Sequence, residues 1–175
     1  MSRLRRSLPF VLLAAIGLVA QAAPAASPLA GTWRLDPARS TELSPWQNYE
    51  LVITVRDSLV TIDRKLAWSR REYADRMALD LRQPETAVTV EGWPDNRHLG
   101  AYIGENKAKR VRAAWLDDGR ILRLSSDLVL ETQQGPRAVN ILSDYKVSAN
   151  GAELTLTELR STRNRPVVYV FTRAK

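Results

Sequence analysis

The chain has no cysteine among its 175 residues, and that absence removes several functions at once. There is no disulfide, no thiol nucleophile and no thiolate metal ligand, and no cysteine to carry the acyl chains of a lipoprotein. Histidine occurs once, as His98. A zinc centre wants three or four His, Cys or carboxylate ligands at close spacing, and His98 has no partner of its kind. A Ser-His-Asp set would need His98 as its base, but no G-x-S-x-G elbow is present to seat a nucleophile. Asp117 and Asp118 lie in a turn, which accounts for them without acid–base work. The chain therefore reads as a non-enzymatic protein with no cofactor and no metal.

Two further features are scarce. No segment sustains a 3.6-residue apolar period, which argues against a helical domain. The only long apolar run, residues 8–20, follows Arg3, Arg5 and Arg6 and precedes the small residues Ala20-Gln21-Ala22. A positive start, a short apolar stretch and an Ala-x-Ala site make residues 1–22 a secretory signal peptide. The run falls short of the roughly 20 residues that cross a bilayer, so no stable membrane anchor is expected. Arg5-Arg6 is a poor twin-arginine motif, and general secretion to the periplasm or beyond is the better reading. The mature part, residues 23–175, is long enough for one good core and too short for two comfortable domains.

Charge is also in short supply once the leader is set aside. The formal net charge of +7 includes three leader arginines, leaving 23 basic against 19 acidic residues. Nucleic-acid binding by charge needs about six to ten phosphate contacts gathered on one face. Here the basic residues are dispersed among acids, so nucleic acid is not a partner and the surface is mildly cationic.

What remains is a run of hairpins. Val55 and Ile53 fall opposite Val60 and Ile62 across Asp57-Ser58, and Asp118-Gly119 sets Trp115 against Leu122, Ala113 against Leu124 and Val111 against Ser126. A four-residue turn at Gln133-Gln134-Gly135-Pro136 predicts Leu130 opposite Val139, Ser126 opposite Ser143 and Leu124 opposite Tyr145. Ser148-Ala149-Asn150-Gly151 then predicts Tyr145 against Leu154. About ten strands result, near 31–36, 50–56, 59–68, 72–82, 86–92, 108–117, 120–131, 137–147, 152–160 and 166–173, with one short helix within 36–46. A meander this long leaves two open edges unless it closes. The expected fold is all-β, a single antiparallel meander closed into a barrel of about 8–10 strands, with a two-sheet sandwich as the alternative. Residues 93–107 form one long break, read either as a lid over a barrel mouth or as an irregular crossing.

Polar residues on the apolar face mark the candidate site. Alternation puts Arg64 on one face with Val60, Ile62, Leu66 and Trp68, and Asp75 on one face with Tyr73, Met77 and Leu79. An unpaired buried charge costs several kcal/mol, so Arg64 and Asp75 either pair or sit near an opening. In the functional version Arg64 receives a carboxylate or phosphate head group, and Trp68, Tyr73 and Tyr145 form apolar walls. Ser126 and Ser143 are a second inward polar pair. The candidate ligand-binding set is thus Arg64, Trp68, Tyr73, Asp75, Ser126, Ser143 and Tyr145. The basic residues at 107–112 read instead as surface, with Arg110 opposite Asp127 on the outer face.

The stretch Gly31-Thr32-Trp33-Arg34-Leu35-Asp36-Pro37-Ala38-Arg39-Ser40 resembles the opening of a group of exported bacterial lipocalin-like proteins. Tyr145-Lys146-Val147-Ser148-Ala149-Asn150-Gly151-Ala152-Glu153-Leu154-Thr155-Leu156-Thr157 is similar to their ending. Gly31-x-Trp33 resembles the lipocalin G-x-W motif, and Ser143-Asp144-Tyr145 loosely resembles T-D-Y. The resemblance implies that Trp33 closes one barrel end beneath an arginine from the last strand, for which Arg173 is placed. The lipocalin disulfide and C-terminal helix are missing. The implied function is an exported lipocalin-like (calycin-type) barrel holding a small apolar or amphiphilic molecule. The alternative is a cell-envelope protein-interaction module whose barrel is filled with side chains and has no ligand.

Overall fold

Period-two alternation becomes eleven strands in the computed structural model, which describes residues 27–43, 45–90, 92, 102–103 and 107–174. They are β1 (Gly31–Leu35), β2 (Asn48–Arg56), β3 (Leu59–Trp68), β4 (Arg71–Asp80), β5 (Thr86–Thr89), β6 (Tyr102–Ile103), β7 (Ala108–Leu116), β8 (Ile121–Thr132), β9 (Gly135–Val147), β10 (Glu153–Arg160) and β11 (Val167–Arg173). All pairings are antiparallel, in the order β4-β3-β2-β1-β11-β10-β9-β8-β7-β5, with β6 continuing along β8 beyond the part that β7 covers. First and last strands are neighbours, so the termini seal the sheet. The one seam lies between β4 and β5, which follow each other in sequence. The molecule is a nearly closed all-β meander.

The expected helix at 36–46 shrinks to a single 3-10 turn, Pro37–Arg39. Asp36 caps it by accepting from the Ala38 amide at 3.1 Å. The expected leader, His98 and nearly all of the 93–107 break lie outside the described residues; Tyr102 and Ile103 of that break form β6.

The hairpin registers hold at Val55–Val60, Ile53–Ile62, Trp115–Leu122 and Val111–Ser126. Two others shift by two residues. Leu130 faces Arg137, Ser126 faces Ile141 and Leu124 faces Ser143, because the β8–β9 turn is the tight Gln133-Gln134 pair, with Gly135 taking φ of +100°. Pro136 is then the second residue of β9, near a strand start, where its missing N–H is tolerated. Tyr145 faces Leu156 and Val147 faces Leu154. There Ala152 joins the loop because Asn150 Oδ1 accepts its amide at 3.1 Å. A shift of two leaves every side chain on its original face.

The inward rows pack Trp33, Leu51, Ile53, Val60, Ile62, Leu122, Leu154 and Phe171 to at most 2% exposure. Each such aliphatic or Phe side chain contributes about 1.5–3 kcal/mol of burial. Tyr49 packs edge-on against Phe171 at 5.0 Å and Tyr169 at 5.8 Å. The outward rows carry ion pairs, including Arg34–Glu50 at 3.2 Å, Arg112–Asp127 at 2.7 Å and Arg123–Asp144 at 2.6 Å. That arrangement is the reverse of a membrane-spanning barrel, whose outward band is apolar. Arg110 does face Asp127 across the strands, but it is Arg112 that binds the carboxylate.

Candidate functional site

Arg173 and Trp33 come together as the G-x-W resemblance implies. The guanidinium carbon sits 4.0 Å above the indole centroid, and the guanidinium donates to the carbonyls of Pro28, Ala30 and Gly151 at 2.6–2.8 Å. Trp33 Nε1 donates to Leu29 O at 3.0 Å. Gly31, at φ +145°, is required here because a Cβ would collide with the Arg173 guanidinium. This cluster ties the segment before β1 and the β9–β10 turn to the last strand.

A second cluster is built on the inward row of β3 and β4. Arg64 and Asp75 are directly opposite each other across the two strands. Nε donates to Oδ1 at 2.6 Å, and Nη2 donates to Oδ2 in a bidentate pair. Burial alone would raise the Asp75 carboxyl, but the Arg64 hydrogen bond and charge outweigh it and hold the group below its usual value. Burial likewise opposes the Arg64 charge, and Asp75 more than restores it. The Tyr73 hydroxyl lies 2.9 Å from Asp75 Oδ2 and 3.2 Å from the Gly92 carbonyl, and donates toward both. It thereby spans the seam from β4 to the segment after β5. A Cβ at Gly92 would meet the Tyr73 ring at 3.0 Å, so the small residue makes the contact possible.

Arg64 also lines a partly open interior cavity of about 70 Å³. Its wall includes Ser126, Ser143, Tyr145, Lys109, Glu158 and Arg160 among Met77, Val90, Leu124, Leu128 and Ile141. Members of the main core and of a smaller cluster around Leu128, Leu130, Val139 and Ile141 both contribute, so the cavity separates two apolar regions. Larger depressions, up to about 1300 Å³, are open grooves on the outside, lined by residues such as Arg110, Asp127 and Val129.

Of the sequence-predicted set, Arg64, Ser126, Ser143 and Tyr145 line the cavity. Asp75 and Tyr73 stand behind Arg64 rather than on the wall. Trp68 is elsewhere, near the β3–β4 turn, with the Arg71 guanidinium 5.6 Å over its ring. Ser126 and Ser143 are not a cross-strand pair, since Ser143 lies between Leu124 on β8 and Glu158 on β10.

Three wall residues escaped the sequence reading: Lys109, Glu158 and Arg160. Glu158 accepts from Arg160 Nη2 at 2.6 Å, with the two side chains only 12% and 5% exposed. Lys109 alternates inward with Val111 and has no hydrogen bond or ion pair among the described residues. Burial, then repulsion from Arg64, brings its ammonium down to about 8. Burial raises the Tyr145 hydroxyl, against a lowering pull from Arg64. The same alternation that exposed Arg64 would have found all three.

No protein-family model matches the sequence, and no curated protein matches it. Solved structures do. Lipid binding protein 8 of Caenorhabditis elegans aligns with a TM-score of 0.53 at 9% identity, over 84% of this chain and 96% of that one. What the two share is the fold, a nearly closed antiparallel β-barrel. Secretory abundant heat soluble protein 4 of Ramazzottius varieornatus gives 0.53 at 8% identity, over 85% and 96%. A second such protein from the same organism gives 0.50 at 12%, again over 85% and 96%. At these identities the likeness is one of architecture.

Proposed function

We propose that the protein is an exported lipocalin-like barrel that binds a small amphiphilic molecule in the cavity beside Arg64 and Tyr145. One observation carries this reading. A guanidinium, an ammonium and several hydroxyls converge with apolar side chains on one interior space, the composition of a ligand pocket. The shared architecture with a lipid binding protein supports it. Export is inferred from the signal-like leader, and Edman sequencing of periplasmic protein is expected to begin at Ala23.

Size limits the ligand. At about 70 Å³ the cavity is well below the ~300 Å³ of drug-sized pockets, and a long acyl chain does not fit without displacing the wall. The same small volume favours a second reading, an envelope protein-interaction module whose barrel is filled by its own side chains. Native mass spectrometry of protein purified from its own periplasm separates the two. A co-purifying small molecule supports the carrier, whereas a bound polypeptide over a ligand-free barrel supports the module. Affinity unchanged by Arg64→Ala would remove Arg64 from the site.

A further inference from the structure

Lys109 stands where the inside of the barrel meets its surface. β7 pairs with β8 only as far as Arg110–Asp127, and beyond that rung Lys109 pairs with β5 alone, opposite Val88. Lys109 and Leu128 line both the interior cavity and the large groove on the outside. The amine is thus partly buried and still within reach of a small solute. It makes no ion pair or hydrogen bond among the described residues, and neither do the hydroxyls of Ser126, Ser143 and Tyr145 on the same wall. An amine desolvated beside a second cation is an activated nucleophile, and Arg64 is that cation here. With a pKa of about 8 in place of 10.5, its free-base fraction at neutral pH exceeds that of an ordinary lysine by on the order of a few hundredfold.

We propose that Lys109 is a covalent site for carbon dioxide, taken up as a carbamate on Nζ. The lone pair of the free amine attacks the carbon, one C=O π pair moves onto oxygen, and the nitrogen then releases a proton to solvent. Atoms and charge balance, R–NH2 and CO2 giving R–NH–COO⁻ and H⁺. Size and charge select this electrophile. At about 30 Å³ per water in the liquid, a cavity of about 70 Å³ has room for a triatomic molecule and little more. The product is an oxyanion, and the wall offers it the hydroxyls of Ser126, Ser143 and Tyr145 and the N–H groups of Arg64 outside its pair with Asp75. Asp75 and Glu158 do not hold the amine themselves, being engaged by Arg64 and Arg160. An aldehyde or ketone would instead leave an iminium, a cation, facing Arg64 and the same donors. The inference does not depend on the amphiphile proposed above.

The test equilibrates the mature protein with ¹³C-labelled carbon dioxide and bicarbonate at pH 8. It is read by ¹³C NMR and, after O-ethylation of the carbamate with a trialkyloxonium salt, by peptide mass spectrometry. Lys65, Lys107, Lys146 and Lys175 are controls within the same sample. The expected result is an ethyl carbamate at least tenfold more abundant on Lys109 than on Lys107, and a ¹³C resonance that Lys109→Arg removes. The α-amino group, with a pKa of about 8, reacts too, and its signal should survive that substitution. At fixed dissolved carbon dioxide, each carbamate releases two protons below the pKa of the amine and one above it, so the pH dependence should break at about 8. The charged and titratable groups facing Lys109 are Arg64, Asp75, Tyr145, Glu158 and Arg160, and none of these changes charge between pH 7 and 9. Ser126→Ala combined with Ser143→Ala should lower the labelled fraction at least threefold without moving that break. Equal labelling of Lys107 and Lys109, or no label on Lys109, would overturn the proposal. An undiminished label in the double variant would overturn the part given to the hydroxyls.

Discussion

Two arginines in the same barrel are held in opposite ways. Arg173 lies flat on Trp33 and gives its protons to three backbone carbonyls, all neutral acceptors. Arg64 points into the interior and is gripped by a carboxylate, itself held by Tyr73. Where a guanidinium keeps some contact with solvent, dipoles and a ring face suffice to fix it. Farther inside, desolvation is severe enough that only a counter-charge offsets it. The region around Trp33 therefore derives stability from packing, and the region around Arg64 spends stability to keep charges beside a cavity.

The sharpest way to break that contrast is on the packed side. Trp33→Ala removes a fully buried indole and the platform beneath Arg173, and should cost about 3–5 kcal/mol. Urea denaturation would measure it, and a loss below about 1 kcal/mol would mean that the Trp33 cluster is not a structural anchor.

On the charged side, Asp75→Asn should cost about 2–4 kcal/mol, because it leaves Arg64 inside without a counter-charge. The pair is 19% exposed on each side chain, which places the expected loss toward the lower part of that range. Arg64→Met with Asp75→Leu should recover most of the loss, since a buried pair replaced by apolar residues is often neutral. If the double variant is as unstable as Asp75→Asn, the pair is holding the fold itself and not a site.

How much of this contrast was legible beforehand depends on the kind of information. Alternation located the strands and put Arg64 and Asp75 inside, while the resemblance of Gly31-x-Trp33 to a G-x-W motif implied that Arg173 meets Trp33. Alternation could not tell one register from another two residues away, because both keep the same face inward. Local turn chemistry decided those, through the positive φ of Gly135 and the Asn150 contact that draws Ala152 into a loop. Lys109 was missed for a different reason. It sits within Lys107-Ala108-Lys109-Arg110-Val111-Arg112, where local charge suggests surface, yet parity with Val111 turns it inward. Glu158 and Arg160 follow Leu154 and Leu156 on the same inward row, and polar identity hid them too. The cavity volume depends on how all these side chains pack, and no pattern along the chain encodes it.

Lys109 offers a smaller test, and one with the opposite sign. Lys109→Met removes a poorly compensated interior charge and should stabilise the ligand-free protein by about 1–2 kcal/mol at pH 7. The pH dependence follows from the same cause. The folded-state pKa of about 8 lies below the ordinary 10.5, so between these values the unfolded chain binds more protons. Stability of the wild type should therefore rise from about pH 8 toward pH 10 through this group. Above pH 10, Tyr73 and Tyr145, whose pKa values are raised in the fold, ionise first in the unfolded chain and reverse the trend. Thermal melts of wild type and Lys109→Met across pH 7–10 should converge as pH rises; parallel curves would mean that Lys109 is solvated.

The smallest effect is expected outside the barrel, and it closes the comparison between exposed and interior charge. Arg112 binds Asp127 at 2.7 Å, a distance close to the 2.6 Å of the interior pair. Its side chain is 52% exposed and that of Asp127 33%, so water already solvates both ions before they meet. Arg112→Ala should change stability by no more than about 0.5 kcal/mol, and less in 1 M salt. Asp75→Asn should keep most of its effect in that salt, because counter-ions do not screen a pair held among buried side chains. Were Arg112→Ala to cost as much as Asp75→Asn, distance alone would be setting the strength of these pairs. Burial would then no longer explain why Arg64 needs a carboxylate and Arg173 does not.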